Sequence, residues 1–279
     1  MCSIAGITRG SGVEQMLDAQ KHRAPDDKGI FKDNLIELGM GRLKIIDLSS
    51  PGLCPYREDE YVLCYNGEIY NYLELKKELQ GLGWKFHTTS DTEVLMKAWR
   101  QWGVKMFEKL NGMFAFAIYN TVTQQLTLAR DIAGEKPLYY YAKGDKFAFT
   151  SEGKAFAKVI PLEYQESRFF DAFQHVHGDT LWKNVKEIPP AHYLAYDARK
   201  NTFSLHQYWD LQLRDINPET AQEELEALLE DAVRIRTRSD VPYALYYSGG
   251  IDSSLISTFH NFTHQFFFDN TLDWKDDFF

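Results

Sequence analysis

The second residue of this chain is a cysteine, in the run Met1-Cys2-Ser3-Ile4-Ala5-Gly6-Ile7. Methionine aminopeptidases remove an initiator methionine when the next side chain is small, so the mature chain is expected to begin at Cys2. One carbon would then carry both a thiol and a free α-amino group. Such an amine titrates near ~8 and a thiol near ~8.5, so nucleophile and base sit side by side. The thiolate is the attacking species, and the amine can take its proton directly or through one water. Three further polar positions stand out along the chain: Arg42 in Gly41-Arg42-Leu43-Lys44-Ile45-Ile46-Asp47, the run Asn66-Gly67-Glu68, and Asp91 in Ser90-Asp91-Thr92-Glu93. Taken singly, each has a plain structural reading: a surface charge, a hairpin turn and a helix N-cap. A second constellation, Ser248-Gly249-Gly250-Ile251-Asp252-Ser253-Ser254, follows an apolar strand pattern and precedes a helix. Two glycines free the backbone to wrap an anion, and serine hydroxyls with a helix N-terminus complete a phosphate cradle.

These residues need elements to hold them, and the apolar periodicity supplies candidates. Short strands are expected at Ser3–Ile7, Leu43–Ile46, Tyr61–Tyr65, Met113–Tyr119, Gln125–Ala129, Leu138–Tyr141 and Phe147–Thr150. Helices are expected over Asn71–Leu82, with Gly83 as its stop, and from an Asp91 cap to near Gly103. Many strands with few helices suggest two packed sheets covered by helices. After Tyr208-Trp209-Asp210 the texture changes. An amphipathic helix pattern runs over Pro218–Arg238, then come a strand at Tyr243–Tyr247, the Ser-Gly-Gly turn, a short helix and a strand candidate at Gln265–Phe268. Helix, strand, helix, strand is the order of a parallel α/β sheet.

Composition narrows the class. With 279 residues, 44% of them hydrophobic and 15% aromatic, the chain can build a packed core and is too apolar to be disordered. A net charge of −9 argues against a nucleic-acid binder, which needs clustered Lys and Arg. No apolar run approaches the ~20 residues that span a bilayer, and no signal-peptide pattern opens the chain. Three cysteines, Cys2, Cys54 and Cys64, do not make a disulfide framework, so a cytoplasmic location is expected and no membrane contact. No metal-ligand set is singled out.

In order along the chain, Met1–Gly6, His22-Arg23-Ala24-Pro25-Asp26, Asn66–Asn71, Ser90–Glu93, Leu110–Phe116, Ala129-Arg130-Asp131, Gly134–Tyr140 and Thr150-Ser151-Glu152 form a recognisable set. The set resembles the class II glutamine amidotransferases, most closely the glutaminase domain of the asparagine synthetase family. The resemblance implies an α+β fold. Residues 1–207 would form an N-terminal-nucleophile glutaminase of four αββα layers. Residues 208–279 would form the start of an α/β ATP-pyrophosphatase-type domain, truncated after two strands. It also implies roles. Cys2 attacks the side-chain amide of glutamine, and Asn66 with the Gly67 N–H stabilises the oxyanion. Arg42 holds the α-carboxylate, while Glu68 and Asp91 hold the α-ammonium. Ser248, Gly249, Gly250, Asp252 and Ser253 would form the pyrophosphate loop, with ATP and Mg2+ as the family's cofactors for the synthetase half and none for glutamine hydrolysis.

Four positions depart from the family pattern: Ala24 and Ala191 stand for Gly, Ile132 for Arg and Met40 for His. None replaces a residue given a chemical role, though Ala24 and Ile132 touch loop closure or domain contact. The ammonia would serve ATP-dependent amidation of aspartate or another carboxylate. Two alternatives stand beside this reading: one subunit of a split synthetase, completed by a second chain or a homodimer partner on the terminal aromatics, or a degenerate, non-catalytic remnant.

Overall fold

A computed structural model describes residues 1–165, 178, 180–213 and 215–267. Phe268, Trp274, Phe278 and Phe279, four of the terminal aromatics, lie outside the described residues. The chain divides into two units, Met1–Leu211 and Gln212–Phe279.

The first unit is built on two antiparallel six-stranded sheets. One contains β1 (Ser3–Thr8), β2 (Asp27–Lys32), β3 (Ile36–Arg42), β8 (Tyr139–Lys143), β9 (Lys146–Thr150) and β10 (Val185–Glu187), in the spatial order β10-β8-β9-β1-β3-β2. The other contains β4 (Tyr56–Glu58), β5 (Tyr61–Ile69), β6 (Gly112–Asn120), β7 (Gln125–Arg130), β11 (His192–Asp197) and β12 (Thr202–Gln207), in the order β12-β11-β7-β6-β5-β4. The period of two along β1 shows how they stack. Ile4 packs inward with Leu38, Met40, Cys64 and Phe116 between the sheets. Ala5 and Ile7 point the other way, onto Val13, Met16 and Leu17 of α1 (Val13–Asp18). Gly39 of β3 is small because α1 lies against it: a Cβ there would sit 2.8 Å from Leu17 Cδ1.

Helix α3 (Asp91–Trp102) packs against β4 and β5 of the second sheet, and α2 (Tyr72–Gly81) packs against α3. Val94, Leu95, Met96 and Ala98 of α3 are fully buried. Burying each of the three larger side chains contributes roughly 1.5–3 kcal/mol, which anchors the start of α3 against the sheet. Helix layers thus lie outside two sheets, the four-layer order expected from the resemblance. In the second unit, α4 (Ala221–Arg236), β13 (Leu245–Tyr247), α5 (Ile251–Phe259) and β14 (Gln265–Phe267) alternate, with β13 and β14 parallel.

Three local expectations fail. Leu43–Ile46 is a loop and not a strand, because the Arg42 guanidinium draws the Ile46 and Asp47 carbonyls onto itself. Asn66-Gly67 is no turn: β5 continues to Ile69, pairing Asn66 with Ala115 and Gly67 with Phe114. The N-cap of α3 is Ser90, whose hydroxyl accepts the Thr92 N–H at 3.1 Å; Asp91 is the first helical residue. The strand β3, which carries Arg42, is not among the expected strands: Ile36, Leu38 and Met40 alternate with period two, but Gly39 and Gly41 lower its strand propensity.

Candidate active site

Cys2 stands immediately before β1, and its Sγ accepts the Leu43 N–H at 3.4 Å. Its carbonyl is held by Arg23 Nε at 3.1 Å, and Arg23 in turn meets Glu152 at 3.1 Å. Burial pushes the Cys2 thiol above its ordinary range, while the Leu43 N–H, the N-terminal ammonium and Arg42 pull it down. Burial also lowers the α-amino group of Met1, with Arg23 and Lys136 adding to that effect while Cys2 and Glu68 oppose it. A cavity of about 200 Å³ opens beside the thiol. Cys2, Arg42, Asn66, Gly67, Glu68 and Asp91 all line it. The structure therefore brings six residues scattered over ninety positions of sequence to one cavity.

Each wall has a cause in the local fold. Arg42 ends β3 and is buried. Its Nη2 donates to the Ile46 carbonyl at 2.9 Å and the Asp47 carbonyl at 2.7 Å, which leaves Nη1 buried with no hydrogen-bond partner. Asn66 is buried too, and neither its Oδ1 nor its Nδ2 has a partner. Unpaired buried polar atoms are costly, about 1–3 kcal/mol each, and their grouping at one cavity marks a site shaped for a polar ligand.

The sheet register directs the Gly67 N–H. Phe114 N–H donates to Asp131 Oδ2 at 3.1 Å and the Phe114 carbonyl accepts the Asp131 N–H at 2.8 Å, so both Phe114 groups face away from β5. Gly67, paired with Phe114, is then a non-hydrogen-bonded position whose N–H faces the opposite edge of β5. On that edge the Tyr65 N–H goes to Met40 Sδ at 3.5 Å and the Ile69 N–H to Asp91 Oδ2 at 3.1 Å. β4 covers β5 only at Tyr61–Leu63, so the edge is open at Gly67. The glycine itself is demanded by β6, since a Cβ would strike the Met113 carbonyl oxygen and lie 2.7 Å from Phe114 Cα.

The acidic wall is electrostatically loaded. Asp91 accepts the Tyr65 hydroxyl at 2.8 Å as well as the Ile69 N–H. Burial raises its carboxyl above the ordinary range, although those hydrogen bonds and the Thr92 N–H pull the other way. Burial, with Asp91 second, pushes Glu68 up to about 7, against the pull of Lys136 and the N-terminus. An incoming ammonium would relieve both carboxylates. Lys136 was not foreseen as part of the cavity. Its backbone N–H is fixed by Asp131 Oδ2 at 3.0 Å and its carbonyl by Arg130 Nε at 2.9 Å. Its place in the Gly134–Tyr140 segment was the one available signal. Met40, which departs from the family pattern, lines the cavity as well. Cys54 lies outside it, donates to the Met40 carbonyl at 2.9 Å, and burial drives its thiol up to about 12. Ala191, another departure, is held at φ 59°, where glycine fits without strain.

In the second unit the Ser-Gly-Gly loop joins β13 to α5. Gly249 sits at φ 76° with open space beside it, and Gly250 caps the nine-residue α5. Ser248 Oγ and Ser253 Oγ lie 3.1 Å apart, and Ser254 Oγ donates to the Gly250 carbonyl. Asp252 lies in the first turn of α5. An open glycine, hydroxyls and a helix start suit a phosphate. Among the described residues no group of three His, Cys, Asp or Glu gathers in a way that could hold a metal ion. No helix among the described residues is long and apolar enough to cross a membrane.

A two-sheet sandwich with helices outside it, and a cysteine-lined cavity holding an unpaired amide and guanidinium, has the layout of a glutamine amidotransferase domain. The chain belongs to the class II glutamine amidotransferase family: the glutamine amidotransferase domain profile matches residues 1–209, and an asparagine synthase profile matches residues 224–266. Among curated proteins it is 36% identical to a Methanocaldococcus jannaschii protein over 92% of this chain and 56% of that one. It is 33% identical to Bacillus subtilis asparagine synthetase [glutamine-hydrolyzing] 3, over 92% of this chain and 45% of that one. The chain thus spans about half the length of the curated relatives it matches. Among solved structures, the glutamine phosphoribosylpyrophosphate amidotransferase of B. subtilis superimposes with a TM-score of 0.55 at 17% identity, over 95% of this chain and 65% of that one. That likeness supports the fold.

Proposed function

We propose that the first unit hydrolyses glutamine to glutamate and ammonia through Cys2. The observation that carries this is the convergence of unpaired Arg42 Nη1 and the unpaired Asn66 amide on the cavity that Cys2 lines. Removal of Met1 puts the α-amino group on Cys2 itself. The amine takes the thiol proton, and the thiolate adds to the side-chain amide carbon of glutamine. Asn66 Nδ2 and the Gly67 N–H donate to the oxyanion. The protonated amine then gives its proton to the leaving nitrogen, ammonia departs, and a thioester remains on Cys2. A water, deprotonated by the same amine, hydrolyses the thioester to glutamate and regenerates the thiol. Arg42 Nη1 holds the substrate carboxylate in a charge-assisted bond, and Glu68 with Asp91 holds its ammonium.

The destination proposed for the ammonia is ATP-dependent amidation of aspartate or another carboxylate. The asparagine synthase match and the names of the relatives support that reading, and the Ser248–Ser254 loop offers the phosphate cradle it requires. Two measurements test the glutaminase proposal. Mass spectrometry of the N-terminus should find Cys2 first. Asn66→Ala should lower kcat about 100-fold or more with a smaller effect on KM; a retained Met1, or an Asn66 variant of unchanged kcat, would refute the mechanism.

A further inference from the structure

Asp47 stands between the two charged walls of the cavity without lining it. It is buried, at φ 59°, in the left-handed region that Asp tolerates better than most residues. Its main-chain carbonyl takes the 2.7 Å bond from Arg42 Nη2. Its side chain faces two ways. Oδ1 accepts the Ser50 N–H at 2.8 Å, and Oδ2 accepts the Ser50 hydroxyl at 2.7 Å and the Thr89 N–H at 2.9 Å. The first two bonds close the 43–50 loop on itself. The third crosses to the loop that leads into Ser90 and Asp91. That loop is fixed from its other side by buried Glu93, which accepts the His87 and Thr88 N–H groups at 3.0 and 2.8 Å. Burial is the largest influence on the Asp47 carboxyl and pushes it up, but the Ser50 and Thr89 bonds outweigh it and hold the group at about 2. The clamp is therefore ionised at any working pH.

We propose that Asp47 is a positioning residue that sets the distance between the carboxylate-binding Arg42 and the ammonium-binding Asp91, and so selects substrates carrying both groups on one α-carbon. This rests on the glutaminase reading above. One residue ties both loops: its carbonyl, with that of Ile46, occupies Arg42 Nη2 and leaves Nη1 for the ligand, while its carboxylate holds the backbone two residues before Asp91. Release of either bond frees the two walls to move apart. A zwitterion that bridges them would lose affinity, and a substrate using one wall would not.

The test compares Asp47→Asn and Asp47→Gly, both compatible with φ 59°, with the milder Ser50→Ala as a third variant. The substrates are L-glutamine and glutaramate, the same primary amide and carboxylate without the α-amino group. For glutamine, KM should rise at least about tenfold, the equivalent of ~1.4 kcal/mol, with a smaller change in kcat. For glutaramate, kcat/KM should change less than about threefold, so discrimination between the two collapses. Amide hydrogen exchange in the 43–50 and 87–90 loops should quicken together in both Asp47 variants, and in the 43–50 loop alone in Ser50→Ala, with the rest of the first unit unchanged. Equal losses on both substrates, or quickening of one loop without the other in the Asp47 variants, would overturn the proposal. If the wild-type chain hydrolyses no glutamine, the glutaminase reading fails, and the exchange measurement still decides whether Asp47 couples the two loops.

Discussion

Glu68 gives the sharpest quantitative expectation. Its carboxyl is carried from an ordinary 4.5 to about 7 by burial and by the nearby Asp91. At about 1.4 kcal/mol per pH unit, holding it ionised in the folded state costs roughly 3 kcal/mol. The sign follows from linkage. The folded state keeps the proton that the unfolded state has already released, so the favourable contribution is full below about 4.5. It is lost as pH rises through about 7. Glu68→Gln carries no such proton. Urea unfolding of variant and wild type, followed by tryptophan fluorescence, should therefore show a stability gap that favours the variant. That gap should widen by roughly 2–3 kcal/mol between about pH 5 and about pH 8. A gap that stays constant across that window would refute the reasoning about burial and Asp91. The same protonation removes an anionic partner for the substrate ammonium, so KM for glutamine should rise below about pH 7 in the wild type and lose that dependence in the variant.

Gly67→Ala places a Cβ against the Met113 carbonyl oxygen and Phe114 Cα, both backbone and unable to yield; it should destabilise the first unit by about 1–3 kcal/mol or more, read as a fall in Tm. Ala191→Gly should do the opposite. Relief of a left-handed alanine at φ 59°, less the added freedom of the unfolded chain, should stabilise by roughly 0.5–1 kcal/mol, and an unchanged or lower Tm would contradict it.

What the sequence disclosed, and what it hid, follows from how each signal is encoded. The strands β5 to β7 and helices α2 and α3 show plain apolar periodicity, and their positions come out within a few residues. β3 is weak in sequence because Gly39, kept small by α1, and Gly41 lower the strand propensity of a segment whose Ile36, Leu38 and Met40 still alternate. The loop after Arg42 misled because Leu43, Ile45 and Ile46 read as a strand, while a guanidinium that turns back on their carbonyls leaves no trace in periodicity. Asn66-Gly67 reads as a turn from residue type; only the β5–β6 register shows it to be an extended edge with an outward N–H. The six cavity residues were legible only together: each has a plain structural reading by itself, and the ordered set of segments around them is what pointed to one site. Asp47 and Lys136 were not singled out for roles of their own. Asp47 acts through bonds to Thr89 and Ser50, and Lys136 is fixed by Asp131, relations that arise only once distant loops fold together.

Glutamate release from L-glutamine by the processed chain, compared with Cys2→Ala under the same conditions, tests the central chemistry most directly. Steady release of glutamate and ammonia in equal amounts by the wild type, with none above background from Cys2→Ala, is the expected result. Equal release from both proteins, or none from either with Cys2 confirmed at the N-terminus, would contradict a Cys2-dependent glutaminase.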